Sequence, residues 1–165
     1  MSRSKDKEIK TNAMRILDKK KISYTVHLYD GEEFHDGVCV ADMLGQPHEQ
    51  VYKTLVTTGK SKEHYVFVIP IEAELDLKKA AKAVGEKSIE MLPLKDLTDV
   101  TGYIRGGCTA VGMKKQFVTV MDETAVQFSK VCVSGGKRGI QIELDPQDLM
   151  KAAGGRFVDV VSQKE

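Results

Sequence analysis

Cysteine is scarce in this sequence: Cys39, Cys108 and Cys132 are widely spaced and odd in number. They form no CxxC pair and no Cys/His cluster of metal-ligand spacing, which excludes a disulfide scaffold and a structural metal site and leaves three free thiols. Proline is almost as rare, at four residues, and no low-complexity stretch occurs; with 41% apolar and 30% charged residues, the composition is that of a globular chain rather than a disordered one. No run of 18 apolar residues exists to cross a membrane, and the opening "MSRSKDKE" is charged but lacks the apolar centre of a signal peptide. Residues 1–8 therefore read as a frayed N-terminus, and the expected location is the cytoplasm with no membrane partner. A formal net charge of +1 excludes a broad electrostatic attraction to nucleic acid. It leaves room for a local one, because Arg105, Lys114, Lys115, Lys137 and Arg138 fall in two short segments.

What is present suffices for one domain. A chain of 165 residues buries about two thirds of the surface it exposes when unfolded, and residues 9–162 carry periodic segments with no linker or repeat. Ile9, Ala13, Ile16 and Leu17 write an amphipathic helix, followed by a lysine run that compensates its dipole. "ISYTVHLY" alternates as a strand and ends with Tyr29 on its polar face. "DGVCVADMLG" reads as a helix capped by Asp36 and ended by Gly45. "EQVYKTLVTT" reads as a strand with Lys53 on the face of Val51 and Leu55, and "HYVFVIPI" as one buried on both faces. "LDLKKAAKAVG" is a helix from Asp76 to Gly85. A strand near "SIEML", a short helix from Pro93, a strand "FVTVMD" and a helical turn near "ETAVQF" follow. "KVCVSGGKRGIQIEL" reads as a hairpin, "DPQDLMKAAGG" as a capped helix and "RFVDVV" as a strand. Strands outnumber helices without a βαβ rhythm. The expected class is α+β: a single domain on a mixed, barrel-like β-sheet with short flanking helices.

Few residues carry chemistry. Lys53, between apolar neighbours on one strand face, either snorkels to water, pairs with an acid, or serves a site that needs a partly desolvated ammonium for a carbonyl, ester or phosphate oxygen. In "YIRGGCTAVGMKK", Gly106 and Gly107 either form a bulge or strand end, or bring backbone N–H groups to a ligand. Cys108 needs a base to act as a nucleophile, and no histidine lies near it in sequence. Cys39 and Cys132, set among valines, read as small buried hydrophobes. "SGGKRG" is either a hairpin turn or a concavity of N–H groups for phosphate, with Lys137 and Arg138 beside it. Asp30, Glu32, Glu33 and His35 read as a solvated loop, and no metal site or cofactor is indicated.

Lys53-Thr54, "GYIRGGCTAVGMKK" and "VSGGKRG", in this order and spacing, resemble the YbaK/EbsC group of prolyl-tRNA editing proteins, over nearly the whole chain from "TNAMRILDKKKISY" to the last strand. The resemblance implies an editing-domain fold across residues 9–162 and a free-standing deacylase that removes cysteine from tRNA(Pro), with Cys-tRNA(Cys) as a further candidate substrate and prolyl-tRNA synthetase as partner. It also implies roles. Lys53 and the Gly106 backbone fall at the reaction centre. Tyr29, Thr54, Gly107, Cys108, Ser134 and Gln141 fall in the substrate site, and Lys114, Lys115, Lys137 and Arg138 are the candidates to meet the tRNA. The implied reaction is substrate-assisted: the cysteinyl thiol attacks its own ester carbonyl and leaves as a thiolactone. Related sequences can carry Asp at the position of Gln141, which as an amide cannot act as a charged base but can orient a substrate. They can also carry Ser-Pro at Thr109-Ala110, so the loop after the glycines is less rigid here. The alternatives are an editor for another small aminoacyl group, such as alanine on tRNA(Pro), and a non-catalytic partner of a synthetase or tRNA.

Overall fold

Helices in this chain begin where a side-chain oxygen can take up an orphan backbone N–H. The computed structural model describes residues 10–162; the expected frayed stretch 1–8, and Ile9, lie outside the described residues. Thr11 caps α1 (Asn12–Lys19) by accepting from Met14 N at 3.1 Å. Asp36 caps α2 (Gly37–Leu44) through Cys39 N at 2.8 Å. Asp76 caps α3 (Leu77–Val84) and Asp145 caps α5 (Pro146–Ala153) in the same way. The short α4 (Leu97–Thr101) follows the single 3-10 turn opened by Pro93.

Among the described residues, eight strands build two sheets. The small one has the order β1 (Thr25–Leu28), β7 (Ile140–Leu144), β6 (Val131–Lys137) and is antiparallel. The large one has the order β4 (Ile89–Met91), β2 (Tyr52–Gly59), β3 (His64–Pro70), β5 (Val118–Asp122), β8 (Arg156–Val158) and is mixed. Its β3 pairs antiparallel with β2 and parallel with β5. The run "HYVFVIPI" is buried on both faces as its composition predicts: Phe67 and Ile69 pack with Ala80 and Ala81 of α3, while Val68 packs with Met121, Ile142 and Leu144. The single α+β domain is thus as expected. Its strands, however, form no closed barrel among the described residues, because between the sheets these residues make only one parallel bridge, Val51 to Cys132. Closure would require continuous pairing around the sheet. β1 is left as an edge whose apolar residues Val26 and Leu28 are 41% and 53% exposed.

The hairpin β6–β7 organises what surrounds the future site. Its turn is Arg138-Gly139, and a bulge falls between Ser134 and Lys137, so "SGGKRG" is a hairpin with a widened strand. Two loops press backbone against this turn. Tyr29 N donates to Gly139 O at 3.0 Å. A Cβ at Gly31 would lie 2.5 Å from Gly139 N and 2.6 Å from Arg138 C, and one at Gly107 would lie 3.0 Å from Lys137 Cα. Thr11 Oγ1 donates to Gly135 O at 2.6 Å and ties α1 to the same strand. Replacing Gly31 by Ala forces backbone apart with no flexible side chain to yield. Overpacking of this kind is worth about 1–3 kcal/mol, and a chain of this size responds with roughly 2–4 °C per kcal/mol. A thermal melt of Gly31→Ala is therefore expected to fall by several degrees, although the residue touches no predicted catalytic group.

Candidate active site

β2 carries Lys53 to the point where the two sheets meet. Lys53 lies across from Ile69 and continues the row of Leu55 and Phe67, so its stem runs along apolar surface before the ammonium emerges. The end of the preceding residue is fixed from beneath: Tyr52 Oη lies 2.8 Å from Thr124 Oγ1, which donates to the fully buried Asp122 at 2.7 Å. Asp122 also accepts from Val160 N, binding β5 to the chain's last segment. No hydrogen bond or ion pair to Lys53 is made among the described residues. Burial, partly offset by Glu74 and Asp36, holds its ammonium below the ordinary lysine range. Of the three options open for Lys53, an ion-pair partner is therefore absent among the described residues.

The ammonium faces a cavity of about 300 Å³. Tyr29, Thr54, Gly106, Cys108, Ser134 and Gln141 line it with Lys53, so seven of the eight residues assigned to the reaction centre and the substrate site converge from four separate segments. Gly107 does not. Its N–H donates to Ile104 O at 2.9 Å, and its missing side chain makes room for Lys137, so only one of the two glycines is free to turn an N–H to a ligand. Gly106 has φ +88° and a Cβ there would meet Phe34 and Arg138 at 3.1 and 3.2 Å, so both its backbone conformation and its surroundings demand glycine. The loop that holds it is closed by Tyr103, whose hydroxyl donates to Val111 O, and by Lys114 N bonding Thr101 O at 3.0 Å.

Cys108 lines the cavity, but burial pushes its thiol up to about 12, so the thiol stays protonated. Cys132 is buried and likewise raised to about 12. Cys39 is only partly buried and does not behave as a simple small hydrophobe: its Sγ lies 3.5 Å from His35 Nδ1, although His35 and not Cys39 lines the cavity. Among the described residues no group of three or more His, Cys, Asp and Glu side chains is arranged to hold a metal ion.

The sequence did not single out two contributors, Phe34 and Gln46. Phe34 lines the cavity mouth with Arg105 stacked 3.9 Å above its ring. Gln46 exchanges two hydrogen bonds with the buried Gln141, at 2.6 and 2.9 Å, so both amide groups of Gln141 are already engaged. One signal for Gln46 exists: it follows the left-handed Gly45 that ends α2, a position that usually makes an apolar contact. Of the basic candidates, Arg138 stands at the cavity rim near Phe34, and Lys137 precedes it in the hairpin turn. Lys115 lies over Phe117, before the strand that pairs with the far end of β3, and so stands away from Lys53. A larger groove of about 750 Å³ between α1 and β1 is lined by Lys10, Asp18 and Tyr24, which bond one another; none of the motif residues reaches it.

An unpaired, desolvated lysine opposite a glycine backbone, in a cavity for a few heavy atoms, is a site for a small ligand bearing a carbonyl or ester oxygen. Comparison with known proteins agrees with that class. The profile of the aminoacyl-tRNA editing domain matches residues 32–152. An Enterococcus faecalis protein with the proposed designation Cys-tRNA(Pro)/Cys-tRNA(Cys) deacylase EbsC is 47% identical over 156 residues, 94% of this chain and 95% of its own length. Among solved structures, a hypothetical protein, APE2540, superposes with a TM-score of 0.81 at 21% identity, over 90% of this chain and 97% of that one. A proposed trans-editing enzyme for prolyl tRNA synthetase gives 0.79 at 22% identity, over 93% and 99%. This chain belongs to the aminoacyl-tRNA editing domain family.

The lowered Lys53 value has a consequence for stability. A cation that binds its proton more weakly in the folded state than in the unfolded one destabilises the fold at neutral pH, and the penalty fades as pH rises through the folded value toward about 10.4. Lys53→Met is therefore expected to raise Tm at pH 7, and the gap should narrow in melts at increasingly alkaline pH.

Proposed function

We propose that this editing domain acts in trans as a deacylase of Cys-tRNA(Pro), with Cys-tRNA(Cys) as a second substrate. What carries this reading is the meeting of Lys53 and the Gly106 backbone in one small cavity, in a chain 47% identical to a protein named for both activities. Lys53 draws electron density from the ester and steadies the developing oxyanion, and the Gly106 N–H, which has no acceptor among the described residues, is the second donor. Tyr29, Thr54, Ser134 and Gln141 shape the space for the aminoacyl side chain. Gly107 acts beneath it by allowing the loop to seat on the hairpin.

The chemistry fits a site whose own lining thiol is protonated. The cysteinyl sulfur attacks its own carbonyl carbon, the C–O bond to the ribose breaks, the thiol proton passes to the departing ribose oxygen, and a thiolactone leaves. An attacking group already tethered to the substrate needs only orientation and charge stabilisation. It also makes selection chemical, where a pocket alone distinguishes one methylene by about 1–3 kcal/mol. We place the reaction in the cytoplasm beside prolyl-tRNA synthetase, with Lys137 and Arg138 meeting the tRNA and Lys114 and Lys115 as outer contacts.

Incubation with Cys-tRNA(Pro) and Ala-tRNA(Pro) tests the reading. Cysteine should be released as thiolactone and alanine retained; faster loss of alanine would instead mark an editor of thiol-free substrates. Lys53→Ala should lower kcat by about 10²–10³-fold, the range for loss of one oxyanion donor, and Gly106→Val should do at least as much. Cys108→Ala and Cys39→Ala should each keep most of the activity. Collapse of turnover in Cys39→Ala would move the nucleophile to the Cys39–His35 pair.

A further inference from the structure

Three segments bring two guanidinium groups to a single aromatic ring at the mouth of the cavity. Arg105 Cζ lies 3.9 Å from the Phe34 centroid and Arg138 Cζ lies 5.6 Å from it. The two cations are therefore no farther apart than about a Debye length at 0.1 M salt. Neither has a carboxylate within ion-pair distance among the described residues. Arg138 is held in place by its own Nε, which donates to Arg105 O at 2.8 Å, and this leaves its terminal nitrogens free. The Arg105 side chain is exposed and makes no hydrogen bond among the described residues. Two like charges held close without a counter-ion repel one another. Their stacking on Phe34 offsets part of that repulsion and fixes the direction of both planar forks.

The position of the pair matters more than its charge. Arg105 adjoins Gly106 in sequence and lines the same cavity as Lys53, so the pair borders the reaction centre instead of marking a remote basic face. A ligand whose ester lies between Lys53 and Gly106 continues outward past Phe34. In an aminoacyl ester of a terminal ribose, the first anionic group met on leaving the ester is the phosphate on the 5′ side of that same ribose. A guanidinium fork matches a phosphate with two parallel N–H···O bonds.

We propose that Arg105 and Arg138, preset on Phe34, form a binding subsite for the phosphodiester immediately 5′ of the ribose that bears the aminoacyl group. This rests on the reading that the cavity takes an aminoacyl ester. The subsite gives the enzyme a way to recognise the end of a charged RNA with a net charge near zero, because it needs one oriented phosphate and no broad field. It also sets the depth to which the ester enters the cavity.

The test compares 3′-O-cysteinyl-adenosine with its 5′-monophosphate as minimal substrates, with an uncleavable 3′-amide-linked cysteinyl pair measured by calorimetry. Wild-type protein is expected to favour the phosphate-bearing compound by about 10–100-fold in kcat/KM and in affinity, the range of one or two charge-assisted hydrogen bonds, and to lose much of that preference as salt is raised. Arg105→Gln should bring the preference close to unity, its larger loss falling on the phosphate-bearing compound. Arg138→Lys, which keeps the charge but not the fork, should lose part of it. Inorganic phosphate should compete at least tenfold more weakly than adenosine 5′-monophosphate; equal competition would show a general anion site and overturn the assignment to the nucleotide. Equal handling of the two compounds by wild type, or an equal loss on both in Arg105→Gln, would also overturn the subsite. Absence of turnover on either substrate would count against the deacylase reading, and the calorimetric comparison would still decide the subsite.

Discussion

The site depends on how closely backbone can approach backbone at the turn of the β6–β7 hairpin. Gly31 and Gly107 sit against Arg138, Gly139 and Lys137 at separations that leave no room for a Cβ. Those contacts, together with the β1–β7 pairing, bring together a loop that follows β1, a loop that follows α4 and the β6–β7 hairpin. Each contributes one kind of group. The first brings Tyr29 and Phe34, the second Arg105, Gly106 and Cys108, and the third Ser134, Arg138 and Gln141. Lys53, on the stretch of β2 that pairs with β3, is the point that these loops enclose.

That arrangement divides the two adjacent glycines into different tasks. Gly106 is a cavity-lining residue with a left-handed backbone and an N–H that has no acceptor among the described residues. Gly107 is a packing residue with its N–H bonded to Ile104. Sequence alone presents them as equivalents, since both gain freedom from the same missing atom. Only the position of Lys137 beneath one of them and Phe34 beside the other separates their roles. Local signals elsewhere were enough. The caps Asp36 and Asp76, the doubly buried β3 and the hairpin all arise from interactions within a few residues, or from uniform burial, and each stands where its residues point. The split of the strands into two sheets was not legible, because it turns on one bridge between Val51 and Cys132, far apart in sequence. Gln46 and Phe34 were hidden for the same reason: their partners, Gln141 and Arg105, lie 95 and 71 positions away across loops whose packing is set by glycine contacts.

Gln141 illustrates how a substitution in a site can be absorbed by a neighbour. An acid at this buried position would need charge compensation, and Lys53, which lines the same cavity, would if it paired with that acid be drawn back up toward its ordinary protonation range. The amide here is instead matched donor to acceptor and acceptor to donor by Gln46. The wall is neutral and satisfied, and the Lys53 charge remains directed into the cavity.

One physical cause then acts on both ionisable groups at the centre, in opposite directions. Burial disfavours charge, so it raises the Cys108 thiol to about 12 and lowers Lys53. A cysteinyl thiol entering the same space meets the same penalty and would also be held neutral by burial alone. The penalty is relieved where negative charge develops on sulfur beside an ammonium while the thiol proton passes to the departing ribose oxygen, since opposite charges in a low-dielectric cavity attract strongly. Cys108 lies on the wall and has no such neighbour among its perturbing groups, whereas a thiol carried on the ester that Lys53 holds is brought to the ammonium by binding itself. In this reading the enzyme needs no base of its own, and the selectivity for a thiol-bearing substrate and the silence of its own cavity thiol have the same origin.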